Sequence, residues 1–97
     1  MSTIGAFLQH KMTNMAVWLA DSGGPAPMGA LTCVQATQFA EILRAEHADA
    51  IRERSFETLN APSELQEVIE FVQSREDLHD KFWRYLALFS DTVSSDE

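Results

Sequence analysis

Leu78-His79-Asp80-Lys81-Phe82-Trp83-Arg84-Tyr85-Leu86-Ala87-Leu88-Phe89-Ser90 is the stretch that decides the fold class. Leu78, Phe82, Tyr85, Leu86 and Phe89 recur at the three- and four-residue intervals of one helix face. Trp83 and Leu88 widen the apolar arc on opposite flanks, leaving Glu76, Asp77, Asp80 and Arg84 for the polar side. A helix that is apolar over most of its circumference must be covered on more than one side. It is therefore expected to be the central element of an all-α bundle, or to lend part of its arc to another chain.

Upstream the apolar phase breaks, because six residues separate Val72 from Leu78 where seven would keep the stripe aligned. Ser74 followed by Asp77 resembles a capping-box start, which predicts a helix over 75–90 kinked or separated from one over 63–73. That earlier helix starts at Ser63, or at Asn60 with Pro62 in its first turn. Glu64 and Glu67 suit its positive end, and Leu65, Val68, Ile69 and Val72 make its buried face. Phe71 lies off that face, nearer Glu64 and Glu67. A helix over 32–57, capped by Thr32, carries Cys33, Ala36, Phe39, Ala40, Leu43, His47, Ala50 and Ile51 as one stripe, with Ile42 to the side. The first helix, over 3–20, is capped by Ser2 or Thr3 and aligns Ile4, Phe7, Leu8, Met12, Met15, Trp18 and Leu19. Lys11 falls inside that stripe, so its stem is expected to snorkel or its ammonium to meet an acid. The fold expected is thus a small all-α bundle of four helices. A short β-hairpin over 15–32 is the alternative, although neither of its runs alternates cleanly. Asp21-Ser22-Gly23-Gly24-Pro25-Ala26-Pro27 reads as a connector, since no P-loop lysine and Ser/Thr follow its glycines.

Of 15 acids and seven bases, only Asp21 and Lys11 lie within residues 1–40, so the back half carries the net charge of -8. An uncharged front in a short chain must be mostly covered or present an apolar patch. One domain over 1–90 with an acidic flexible tail over 91–97 is expected. Some apolar helix surface is expected to meet a second polypeptide: a homodimer is expected, and with it the binding of another protein. Direct binding to nucleic acid is not expected, because among seven bases only Arg52 and Arg54 lie close together and phosphate neutralisation needs clustered cations. The acidic field favours a basic partner surface. No apolar run is long enough for a membrane span and no secretory signal is visible. A single cysteine allows no internal disulfide and suits a reducing cytoplasm, with an intermolecular disulfide left open.

Motifs that carry chemistry are sparse. Glu76-x-x-His79 is one half of the pattern that dimetal bundles use twice, with two further glutamates. His10 and His47 have no comparable partner. Cys33 sits near a helix N-terminus, where a thiolate is favoured, yet it lies on an apolar stripe, where cysteine serves as a small hydrophobe. No catalytic residue, cofactor site or metal ligand is assigned. Glu64, Glu67, Glu70, Asp77 and Asp80 can imitate a row of phosphates, but Arg75, Lys81 and Arg84 interrupt them. The function expected is that of a non-catalytic protein-binding regulator, an inhibitor or anti-activator that sequesters another protein such as a transcription factor. Its candidate contact residues are Phe71, Trp83, Tyr85, Leu88 and Trp18, with Lys11. The alternatives are an acidic nucleic-acid mimic that blocks a DNA-binding protein, and a small metal-binding helical protein or enzyme.

Overall fold

The computed structural model describes residues 3–25, 32–59 and 63–95, and every regular element among them is helical. The chain runs through α1 (Thr3–Asp21), α2 (Cys33–Glu46), α3 (Ala48–Glu53), α4 (Ser63–Gln73), a 3₁₀ turn (Glu76–Leu78) and α5 (His79–Ser95). The all-α reading holds. The hairpin does not form, since its first run, 15–20, lies inside α1; most of its second run, 28–31, falls outside the described residues, as do the proposed caps Ser2 and Asn60 and the first-turn Pro62.

Three boundaries differ from those expected. The long helix over 32–57 breaks at His47, whose φ of -126° and ψ of 13° interrupt the helical backbone between α2 and α3. No glycine or proline marks this break, and the stripe keeps its phase across it, so periodicity could not reveal it. Arg54 then closes α3 in the left-handed conformation (φ 55°), its N–H donating to the carbonyls of Ala50 and Ile51. The reversal brings Phe56 back onto α5. At the next joint the capping box of Ser74 and Asp77 is not made. Ser74 Oγ donates back to the Phe71 carbonyl at 2.8 Å, and extended Arg75 leads into the 3₁₀ turn. The broken phase between Val72 and Leu78 is this interruption. Finally, α5 continues to Ser95, so the expected tail over 91–97 is helical for its first five residues.

Thr32 caps α2 as read, and does so reciprocally: its Oγ1 accepts from the Gln35 N–H at 3.1 Å while its own N–H donates to Gln35 Oε1 at 2.9 Å. Two otherwise orphaned donors are satisfied at once. α5 packs against all four other helices, and Phe82, Leu86 and Phe89 on it are wholly buried. Phe39 of α2 meets Phe89 edge-on at 6.0 Å. α1 and α2 approach closely at Gly5, where an added Cβ would stand 3.0 Å from the Cys33 carbonyl oxygen. Leu8, Met12, Met15 and Leu19 of the sparsely charged front are buried within a single copy. The radius of gyration of 12.5 Å matches the ~13 Å of a closed 100-residue domain. Phe7, placed by periodicity on the buried stripe, is instead exposed, as are Val17, Val34 and Ile42.

Candidate functional site

α1 and α5 meet along a seam. On α1, Phe7, Lys11 and Trp18 are spaced by four and seven residues; on α5, Lys81, Tyr85 and Leu88 are spaced by four and three. Each set therefore lies along one side of its helix. The Trp18 and Tyr85 rings pack at 5.7 Å, tilted by 36°. Lys81 Nζ stands 5.3 Å from the Trp18 ring centroid and Lys11 Nζ 5.3 Å from that of Phe7, both within reach of a cation–π attraction. Lys11 thus resolves its place in an apolar stripe by snorkelling along Phe7. Lys11, Lys81 and Arg84 surround Tyr85 and Leu88 about a shallow depression of ≈ 180 Å³. Burial pushes the Tyr85 phenol above its ordinary value.

Charge is distributed unevenly around this seam. Among the described residues, the ion pairs involve Arg52, Arg54, Arg75 and Arg84. The two lysine ammoniums rest on aromatic rings instead. Arg84 Nε donates to Asp80 at 2.9 Å and Arg54 Nη1 to the same carboxylate at 3.0 Å; these guanidinium bonds hold Asp80 below the usual carboxylate range. Three of the chain's seven bases converge on one apolar, aromatic spot in an otherwise acidic molecule.

Of the six candidate contact residues, Lys11, Trp18, Tyr85 and Leu88 come together at this seam. Trp83 and Phe71 do not. Trp83 is only 2% exposed, enclosed by Phe56 at 4.8 Å and Phe82 at 5.4 Å. The two flanks of α5 looked alike in sequence, but Phe56 seals the Trp83 side and leaves the Leu88 side open. Phe71 is half-buried in an internal clasp. Its ring lies directly against Gly24, where an added Cβ would overlap the ring atoms, and the Arg75 guanidinium sits 5.7 Å from its centroid. Arg75 Nη1 also donates to the Ser22 carbonyl at 3.3 Å while Nε and Nη2 grip Asp77 at 3.1 and 2.9 Å. The Asp77 bond raises the Arg75 pKa, and the Arg75 bond lowers that of Asp77. Arg75 thereby ties the end of α1 to the joint before α5. Phe7, Lys81 and Arg84 were missed as site residues, although Phe7–Lys11, Lys81–Tyr85 and Arg84–Leu88 each stand four residues apart.

The other chemical candidates are dispersed. Cys33 Sγ donates to Gln9 Oε1 at 3.4 Å and borders an open groove of ≈ 520 Å³ with Gly5, Val34, Thr37, Gln38 and Glu41. His79 packs its ring on Phe56 at 5.1 Å, with Nε2 3.3 Å from the Gln73 carbonyl oxygen. His47 is buried at the α2–α3 break, and His10 is exposed on α1. Among the described residues no three His, Cys, Asp or Glu side chains are grouped as metal ligands would be, and no helix is long and apolar enough to cross a membrane. No protein-family model, curated protein or solved structure matches this chain.

Proposed function

We propose that the protein is a non-catalytic regulator that binds another protein through the α1–α5 seam, in the manner of an inhibitor or anti-activator that sequesters its target in the cytoplasm. The observation that carries this reading is the gathering of Lys11, Lys81 and Arg84 around Tyr85 and Leu88, beside Trp18. Amphipathic aromatics and arginine dominate binding hot spots. A depression of ≈ 180 Å³ is smaller than the ~300–1,000 Å³ of small-molecule sites and suits one protruding side chain of a macromolecular partner. The acidic-mimic alternative is weakened because Arg75 neutralises Asp77 while Arg54 and Arg84 share Asp80.

The test is capture from native extract with three forms of the protein: wild type, Leu88→Glu on the seam, and Val17→Glu, which alters an exposed side chain elsewhere on α1. A partner retained by wild type and Val17→Glu but lost by Leu88→Glu, with unchanged helical content, is the expected result. Equal retention by all three forms would remove the seam as the binding face.

A further inference from the structure

We infer that the seam's occupant is an acidic, amphipathic polypeptide segment, whose apolar side chain enters the depression at Tyr85 and Leu88 while its carboxylates meet Lys11, Lys81 and Arg84. This rests on the protein-binding reading above and names the chemistry of the partner.

Charge complementarity supports it. A net charge of -8 repels acidic chains over most of the surface, so a local basic cluster selects both the place and the orientation of an acidic partner. The cluster's composition is equally telling. Among the described residues Lys11 and Lys81 are held over Phe7 and Trp18 rather than paired with carboxylates, so an incoming carboxylate displaces no ion pair seen there. Arg84 differs, since it already bonds Asp80, and serves at the rim. Beneath these cations the surface is apolar: Tyr85 and Leu88 are half-buried, and Phe7 is 39% exposed. A purely ionic ligand would leave that surface wet, and a purely apolar one would leave three cations beside a desolvated contact. A segment that alternates acids with large apolar side chains satisfies both, and that composition marks the disordered activation segments of transcriptional regulators. Sequestering such a segment is what an anti-activator does.

The experiment measures anisotropy of a labelled synthetic peptide that presents Leu and Phe at helical spacing with Glu on its flanks. An isosteric Gln version and a Lys version serve as comparators. The Glu peptide is expected to bind about tenfold or more tighter than the Gln peptide at low salt, and the gap to narrow as salt is added. Lys11→Gln combined with Lys81→Gln should abolish that preference, and Arg44→Gln, at an exposed base on α2, should preserve it. Amide shifts on binding should centre on Trp18, Tyr85 and Leu88. Equal affinity for the Glu and Gln peptides, with shifts at the seam, would overturn the acidic occupant and leave the protein-binding reading standing. Absence of binding by every peptide, together with extract capture that Leu88→Glu does not affect, would overturn both. A dimer that the paired lysine substitutions dissolve would assign the seam to a second copy and overturn the assignment to a foreign segment.

Discussion

Replacing Trp83 by alanine separates a core role from a surface role by a wide margin. Trp83 is 2% exposed and lies against Phe56 at 4.8 Å and Phe82 at 5.4 Å. Truncation removes a large buried side chain and leaves a cavity between α5 and the turn after α3, at a cost of about 3–5 kcal/mol. That is a large share of the ~5–15 kcal/mol that holds a domain of this size together. At about 4–8 °C per kcal/mol, the melting temperature should fall by roughly 12–40 °C. A tryptophan serving as an exposed anchor would instead cost within about ±0.5 kcal/mol. Urea and thermal unfolding followed by far-UV circular dichroism measure the difference. A double-mutant cycle with Phe56→Ala should show coupling of about 0.5–1.5 kcal/mol, the usual range for a packed aromatic pair. A variant melting within about 4 °C of wild type, or zero coupling to Phe56, would refute the placement of Trp83 in the core.

Gly24→Ala should destabilise by about 1–3 kcal/mol, because the new methyl would collide with the Phe71 ring; adding Phe71→Leu should recover part of the loss in the same urea titration. Thr32→Ala should cost about 1 kcal/mol by removing the reciprocal cap on α2, and Gln35→Ala in that background should add little. Tyr85 is the only tyrosine, so phenolate absorbance titrates it alone. Its burial holds the folded-state value above the ordinary one, so the stability it contributes is complete below the unfolded tyrosine value and declines as pH rises through the folded one. A titration at or below the ordinary value would contradict a covered ring.

Helix type and most buried faces were legible in the residues alone. Leu65, Val68, Ile69 and Val72, and Ala36, Phe39, Ala40 and Leu43, are buried as their spacing requires, because a helix repeats the same face every three or four residues whatever packs on it. The phase slip before Leu78 likewise marked a kink or a break between α4 and α5, and the structure makes it a break. Periodicity carries no information about which flank of a helix a neighbour covers. Phe7 sat on the apolar stripe of α1 but points to the seam's exposed edge, and Phe71 reads as a free aromatic until Gly24 and Arg75 are seen against it.

What the sequence determined by itself is an all-α chain with a sparsely charged front, since hydrophobic period and charge placement are properties of the chain order. Which flank of α5 stays open was decided only in three dimensions. The left-handed turn at Arg54 folds Phe56 over Trp83, while among the described residues nothing comparable covers Leu88. Lys11, distant in sequence, comes beside Lys81 and Arg84 because α1 packs along that same side. The basic seam on an acidic protein is therefore a product of helix packing, which composition averages away.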